Sequence, residues 1–258
     1  MKNIGIIGCG WLGLHLAEHL CPTNKIFTTT TSEAKKYQIT LMGFDLTIIN
    51  FSSLESSKDI TTWKNLDILD AIIITVPFPK QVEINSLLQR FENISQFIRG
   101  YKKQLFLMSS IGIYPQFETE IEESTFNDNF LVPNLIQVEN LIKNKFPQVN
   151  ILRLGGLMGK DRIFSKYKTQ PANQVVNHVH FEDICLIIEK MISKNYSSKI
   201  YNVVAPLHPT KLEIINFQKG ISHTIIIKEK PQGRKILTKL LMDELNYEYK
   251  NPDPKMFY

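Results

Sequence analysis

Cysteine is scarce in this chain of 258 residues, which has only Cys9, Cys21 and Cys185 and no Cys-x-x-Cys pair. The sequence therefore predicts neither a disulfide framework nor a zinc site, and this fits a reducing, cytoplasmic location. The six histidines are scattered along the chain, so no metal site of another kind is expected.

Long apolar runs are also missing. The most apolar stretch, residues 68–76, is far shorter than a bilayer-spanning helix requires. The first apolar strand begins almost at once, which leaves no room for a signal peptide. We therefore expect a soluble protein with no membrane partner.

A strong charge of either sign is absent. The 30 basic and 25 acidic side chains leave a net charge of +5, which neither requires nor excludes an anionic ligand. Residues 211–239 hold seven basic side chains against two acidic ones, and such a stretch is either a solvated face or a phosphate-binding patch. No nucleic-acid partner is expected, and a homodimer is left open.

Glycines at the start of the chain carry the clearest functional signal. Gly8, Gly10 and Gly13 fit the pattern G-x-G-x-x-G, after an apolar strand and before leucines at helical spacing. In dinucleotide-binding proteins, these glycines allow the tight turn, the approach of the pyrophosphate and the packing of helix on strand. The phosphates meet the free N–H groups of the helix. The motif predicts a cofactor site that includes Trp11 and Leu12; the alternative is a purely structural turn.

The second predicted strand, residues 25–31, ends without a carboxylate. An NAD site normally has Asp or Glu there, about 20 residues beyond the glycines, to bind the ribose 2′-hydroxyl. Instead the chain has Thr30, Thr31 and Ser32, followed by Lys35, which suit a 2′-phosphate. The predicted cofactor is therefore NADP, with NAD as the alternative because Glu33 lies nearby.

Apolar segments alternate with amphipathic ones along most of the chain, which predicts an α/β fold with a doubly wound, largely parallel sheet. The first strand precedes Gly8, and six others are predicted at residues 25–31, 44–50, 68–76, 104–108, 149–154 and 199–204. Helices are predicted from residue 11 to about 20 and at 32–42, 80–99, 131–146 and about 180–194. Thr75, Val76 and Pro77 end the fourth strand, where we expect them to lie along the cofactor ribose and pyrophosphate.

Four motifs in order carry a resemblance to a known family. They are Gly-Cys-Gly-Trp-Leu-Gly at residues 8–13, Ser-Ser-Ile-Gly-Ile-Tyr at 109–114, Arg-Leu-Gly-Gly-Leu-Met-Gly at 153–159 and Asn-His-Val-His-Phe-Glu-Asp at 177–183. Together they resemble the extended and atypical short-chain dehydrogenase/reductase superfamily, in its NAD(P)-dependent epimerase/dehydratase-like branch. The resemblance implies a Rossmann domain at residues 1–154 and 174–204. It also implies a small C-terminal substrate lobe at 155–173 and 205–258, in which we predict a strand near 224–227 and a helix at 234–245.

The chemistry of that family depends on a Tyr-x-x-x-Lys pair, which exchanges a proton with the substrate. None of the nine tyrosines in this chain is followed by lysine four residues later. When Glu139 is aligned with the usual glutamate of the family, Leu131 and Leu135 occupy the positions of the tyrosine and the lysine. The sequence therefore predicts that the standard dyad is absent.

Two hydroxyl groups are candidate substitutes. Ser110 resembles the family serine that hydrogen-bonds the substrate, and it lies at the carboxyl end of a predicted parallel strand, where such sheets bind ligands. Tyr114 follows in a loop that we expect to face the pocket, as a catalytic phenol or as a ring packed under Pro115.

Residues 161–162 and 166–168 supply charge that holds an anionic substrate or belongs to a plain surface loop. His180 reaches the pocket or is a structural histidine.

The predicted function is an oxidoreductase or epimerase acting on a small hydroxylated, anionic substrate such as a nucleotide sugar. The alternative is a catalytically inactive NAD(P)-binding regulator or scaffold of the same fold.

Overall fold

The computed structural model describes residues 1–52, 60–167, 171–221 and 230–258. Its strands are β1 (Asn3–Ile7), β2 (Lys25–Thr30), β3 (Asp45–Ile48), β4 (Ala71–Ile74), β5 (Gln104–Ser110), β6 (Glu120–Ile121), β7 (Val149–Leu154), β8 (Gly156–Met158), β9 (His178–His180), β10 (Ile200–Val203) and β11 (Lys235–Ile236). Its α-helices are α1 (Trp11–Leu20), α2 (Lys36–Leu41), α3 (Ile84–Phe97), α4 (Pro133–Lys145), α5 (Phe181–Ser193), α6 (Lys211–Gln218) and α7 (Lys239–Leu245).

A seven-stranded sheet lies at the centre, in the order β3-β2-β1-β4-β5-β7-β10. All of its neighbouring strands are parallel. The order runs outward in both directions from β1 and β4, as in a doubly wound Rossmann sheet. The predicted fold class is therefore confirmed, with all seven strands found.

Helices on both faces explain why the central strands are apolar almost throughout. Every residue of β4 and β7 is buried. On one face, the core includes side chains of α1, α5 and α7, and on the other it includes those of α3 and α4. A strand covered in this way cannot alternate polar and apolar residues without burying unpaired polar groups.

Several element boundaries differ from the prediction. The predicted strand at 68–76 shortens to β4 because Leu66–Ile68 forms a 3-10 turn and the chain leaves the sheet after Ile74. The predicted helix at 32–42 is a 3-10 turn, Glu33–Lys35, followed by α2, and the Ser32 side chain makes no capping hydrogen bond. The helix predicted from residue 80 begins only at Ile84, as α3. The carboxylate of Glu83, just before the helix, accepts hydrogen bonds from two N–H groups of its first turn.

The prediction of a helix from residue 234 is wrong at its start. Lys235 and Ile236 form β11, which pairs with β6, and the helix begins only at Lys239. The buried Arg234 guanidinium donates instead to the backbone carbonyls of Ile111, Tyr114 and Pro115. Part of the basic stretch at 211–239 therefore serves the fold rather than a solvated face.

Some predictions fall on residues that the structure does not describe. The predicted strand at 224–227, Lys168 and part of the segment between β3 and β4 lie outside the described ranges. The division into a Rossmann domain and a lobe stays a prediction. Tyr247 and Tyr249, from the proposed lobe, pack into the same core as α1 and α5. Within the described residues, no helix has the length and apolar character needed to cross a bilayer.

Candidate cofactor and active site

A cleft of about 400 Å³ opens at the carboxyl ends of β1, β4, β5 and β7. This is the edge at which parallel α/β sheets bind ligands. The cleft is lined by Gly10, Trp11, Leu12, Gly13, Thr75, Pro77, Phe78, Pro79, Met108, Ser109, Ser110, Leu154, Gly155, Leu157 and Arg162. The glycine-rich turn and Ser110, about 100 residues apart in the chain, thus face one space.

The glycine-rich turn cannot form with larger residues at two of its positions. Gly8 has a φ of +100°, which disfavours any side chain, and its N–H donates to the Thr29 hydroxyl at 3.0 Å. A Cβ on Gly13 would lie 2.2 Å from the Gly8 carbonyl oxygen. The Thr75 hydroxyl, which follows β4, donates to that same oxygen at 2.5 Å. The turn is therefore held by β2 and β4 together.

Gly10 has the opposite character, because a Cβ there would meet nothing within 4 Å. Gly10 precedes α1 without a side-chain cap, and α1 has no acidic residue in its first turn. In the described part of the chain, the backbone N–H groups of Trp11, Leu12 and Gly13 have no acceptor. Open space beside three free donors at a helix N-terminus fits an anion such as a pyrophosphate.

A second pocket of about 370 Å³ continues from the turn across the ends of β2 and β3. It is lined by Gly8, Thr29, Thr30, Thr31, Ile49, Asn50, Phe51, Ser52, Val76, Pro77 and Arg90. None of these lining residues is acidic, as expected from the missing carboxylate after β2. Ser32 and the exposed Lys35 follow in the next turn and do not line the pocket.

Arg90 is a cation of this pocket that sequence reasoning missed. It extends from α3, where its Nε donates to the Ser52 hydroxyl at 2.7 Å and one terminal nitrogen donates to the Pro77 carbonyl at 3.2 Å. The sequence contained a signal for this position, because Arg90 lies at helical spacing between the buried Leu87 and Ile94, and so beside the buried face of α3.

Ser110 is exposed at the end of β5 and lines the cleft as predicted. Its oxygen accepts from the Gly112 N–H at 3.0 Å, which leaves its hydroxyl hydrogen for a ligand. The neighbouring Ser109 also lines the cleft, but its hydroxyl donates to the buried Glu139 carboxylate at 2.5 Å. Of the two serines, Ser110 has the hydroxyl that is better placed to bind a substrate.

The expectation that Tyr114 faces the cleft is wrong. Its side chain is 1% exposed and is not part of the cleft lining. The phenol donates to Asn202 Oδ1 at 2.7 Å and accepts from Arg153 at 2.9 Å. Burial raises the pKa of Tyr114, although the Arg153 cation opposes that shift. Tyr114 is therefore a neutral phenol of the core, hydrogen-bonded away from the cleft, where it cannot reach a ligand directly.

Arg153 and Glu139 form an ion pair beneath the cleft, with two hydrogen bonds of 2.8 and 3.2 Å. Burial disfavours the cation, but Glu139 and the Tyr114 phenol together outweigh that effect and raise the pKa of Arg153. Leu131 and Leu135, which the resemblance places where a tyrosine and a lysine are usual, are both buried.

Arg162 and Trp11 form one wall of the cleft. The guanidinium carbon of Arg162 lies 4.0 Å from the centre of the Trp11 ring, and the indole N–H donates to Asp161 at 2.8 Å. Of the two charged loop segments predicted to meet a substrate, residues 161–162 reach the cleft through Arg162. Lys166 is exposed and does not line it.

His180 is buried against the rings of Phe181 and Phe257 and does not line the cleft. Burial lowers the pKa of its imidazole. Asp183, in the first turn of α5, accepts from the Tyr247 hydroxyl and from the backbone of Lys250 and Asn251. Across the four described ranges, no cluster of three or more metal-ligating side chains is found.

The chain is similar to several known proteins, although no protein-family model matches it. It is 25% identical to protein YeeZ of Escherichia coli (strain K12) over 280 aligned positions, which cover 98% of each chain. Among solved structures, UDP-glucuronic acid 4-epimerase from Bacillus cereus, in complex with NAD, has a TM-score of 0.74 at 15% identity and covers 99% of this chain and 97% of its own. Human epimerase family protein SDR39U1, with NADPH, has a TM-score of 0.67 at 14% identity, covering 98% and 96%.

These likenesses establish the fold. The chain has the Rossmann fold of these two epimerase structures, as the four motifs indicated. One of the two structures carries NAD and the other NADPH, so the choice of cofactor does not follow from the fold.

Proposed function

We propose that this protein is an NADP(H)-dependent oxidoreductase or epimerase that acts on a small hydroxylated substrate, in the cytoplasm. The observation that carries the proposal is the empty space beside Gly10, which adjoins three unpaired N–H groups and continues to Ser110 in one cleft. A cofactor bound along this edge supplies hydride transfer at its nicotinamide end.

The residues of the turn and the second pocket have distinct proposed roles. The backbone of residues 10–13 binds the pyrophosphate, and Thr75, Val76 and Pro77 border the ribose beside it. Thr30 and Thr31, with Ser32 and Lys35 in the following turn, bind the 2′-phosphate of NADP. The absence of an acidic residue from the described lining of the pocket supports NADP over NAD, because a carboxylate there would repel that phosphate.

Ser110 is the proposed catalytic residue. Its hydroxyl donates to the oxygen of the substrate carbonyl and orients the carbon towards the nicotinamide side of the cleft. The proton that this oxygen gains on reduction comes from solvent, because the phenol of Tyr114 is buried and does not line the cleft. Reduction of a carbonyl is therefore favoured over oxidation of an alcohol, which needs a base in the cleft.

Titration calorimetry with NADPH and NADH tests the cofactor assignment. We expect measurable binding of both and tighter binding of NADPH. Equal or tighter binding of NADH would contradict the choice of NADP, and no binding of either would contradict the proposed function as a whole.

Ser110→Ala tests the catalytic assignment. On any carbonyl substrate that the wild type reduces, we expect turnover to fall about tenfold or more, the loss of one hydrogen bond to the reacting oxygen, with unchanged NADPH affinity. Ser193→Ala, an exposed serine at the end of α5, is the matched control. Equal turnover in the two variants would remove Ser110 from the reaction.

An inactive NADP(H)-binding regulator is the second candidate function. It is favoured by the buried Leu131 and Leu135, at the positions where the resemblance expects the catalytic pair. A wild-type protein that binds NADPH but oxidises it with no member of a panel of nucleotide sugars and small carbonyl compounds would support this alternative.

A further inference from the structure

Arg162 is a half-buried cation in the wall of the cleft. Its guanidinium stacks on Trp11 at 4.0 Å, a distance at which the ring face attracts a cation. Among the described residues, no carboxylate lies within ion-pair distance of its side chain and no acceptor takes a hydrogen bond from it. Its donors are therefore available to a ligand in the cleft.

A tight turn holds this arginine in place. Gly159 and Arg162 exchange two backbone hydrogen bonds of 2.9 and 3.0 Å, and the turn between them requires positive φ at Gly159 and Lys160. The Lys160 ammonium lies 3.3 Å from His15 Nδ1 on α1, and the backbone N–H of Lys160 donates to the carbonyl of Tyr258. The turn that carries Arg162 is thus anchored on α1 and on the C-terminal segment in the absence of a ligand.

Asp161, the acidic neighbour of Arg162, binds the Trp11 side chain and not the guanidinium. Asp161 accepts from the indole N–H at the edge of Trp11, and this hydrogen bond is the main reason that the pKa of its carboxyl is lowered. The carboxylate thereby fixes the ring on which Arg162 stacks, rather than occupying the guanidinium. A pre-positioned cation loses little side-chain entropy when it binds, which raises its affinity for an anion.

We infer that Arg162, supported by Trp11, binds a phosphate-type anion in the cleft and selects ligands that carry one. The inference rests on the proposed function, because the cleft is the proposed cofactor and substrate site. The anion has two possible sources, the pyrophosphate of the cofactor beside residues 10–13 or a phosphate of the substrate on the side of Ser110 and Leu157. A planar guanidinium suits phosphate oxygens of either source.

The test uses the full-length protein with Arg162→Gln, which removes the charge, and Arg162→Lys, which keeps the charge but not the planar stacking. Arg99→Gln is the matched control, because Arg99 is exposed beyond α3, on the chain leading back to the start of β5. Calorimetry measures NADPH binding to each free protein, and then the binding of uridine diphosphate to each NADPH-saturated protein.

We expect Arg162→Gln to weaken one of the two ligands by about 10- to 100-fold, the usual value of hydrogen bonds to a charged group, with Arg162→Lys intermediate and Arg99→Gln unchanged. Weaker NADPH binding identifies the cofactor as the source of the anion. Unchanged NADPH binding with weaker uridine diphosphate binding identifies the substrate.

Two other results have separate meanings. Affinities of Arg162→Gln within twofold of wild type for both ligands, or no Arg162-dependent binding of uridine diphosphate alongside unchanged NADPH binding, would overturn the inference and leave the proposed function standing. A wild-type protein that binds no NADP(H) would instead overturn the proposed function.

Discussion

Tyr114→Phe removes one oxygen atom from the interior and leaves the aromatic ring in place. That oxygen donates to Asn202 Oδ1 at 2.7 Å and accepts from an Arg153 terminal nitrogen at 2.9 Å. No other hydrogen bond to either of these two atoms is found in the described structure. The substitution therefore leaves a buried acceptor and a buried cationic donor without their partners.

The size of the effect follows from these two losses. An unsatisfied buried polar group costs about 1–3 kcal/mol, and relaxation of the Asn202 amide recovers part of the sum, so we expect the free energy of unfolding to fall by about 3 kcal/mol. For a chain of this size, each kcal/mol changes the melting temperature by about 2–4 °C, which gives a decrease of about 6–12 °C.

Urea unfolding at neutral pH measures the change, with calorimetry for NADPH on the same samples. Tyr37→Phe is the matched control, because Tyr37 is 75% exposed, and it should stay within about 0.5 kcal/mol of wild type. NADPH affinity should be unchanged in both variants, since neither tyrosine lines the cleft or the second pocket.

Two results would refute this reasoning. An unfolding free energy of Tyr114→Phe as close to wild type as that of Tyr37→Phe would mean that the phenol is not needed by Arg153 and Asn202. A stable variant with a tenfold loss of turnover would mean that the phenol acts in the cleft after all.

Gly13→Ala should abolish NADPH binding and lower the melting temperature, because its Cβ would lie 2.2 Å from the Gly8 oxygen. Gly10→Ala should instead keep the unfolding free energy within about 1 kcal/mol while weakening NADPH about tenfold or more; equal affinities in calorimetry would contradict an anion beside Gly10. Burial, with a smaller contribution from Lys211, lowers the pKa of His178 from 6.5 to about 4 in the folded protein. As the pH falls, His178 is therefore protonated in the unfolded chain before it is protonated in the folded protein. Stability should therefore decrease as the pH falls from about 6.5 to about 4, by about 3 kcal/mol in total, and urea unfolding of His178→Leu over the same range should lack that part of the slope.

The sheet could be predicted because the sequences of its strands are compatible with few other structures. β4 is Ala-Ile-Ile-Ile, and only a strand covered on both faces accommodates such a run between two turns. The glycine-rich turn was equally clear, since Gly8 and Gly13 occupy positions that exclude a side chain for steric reasons. The apolar run and the glycine spacing are both visible in a short stretch of sequence.

The site was less predictable because it depends on which way side chains turn and on distant partners. Ser110 and Tyr114 are four residues apart, yet one faces the cleft and the other the core, where Arg153 and Asn202 complete its hydrogen bonds. The stacking of Arg162 on Trp11 joins residues that are far apart in the chain, and no local pattern indicates it.

The bond from Thr75 to the Gly8 carbonyl, made across 67 positions of the chain, bears on the order in which the protein assembles. The first three strands can pair locally, and Thr29 of β2 already binds the Gly8 N–H, but β1 gains its second neighbour, and the turn gains its bond from Thr75, only when β4 arrives. We therefore expect the proposed cofactor site to be complete only after β4 has joined the sheet. A ligand stabilises only states that already bind it, so we expect NADPH to protect the finished sheet against unfolding but not to rescue a chain in which β4 has not yet joined the sheet.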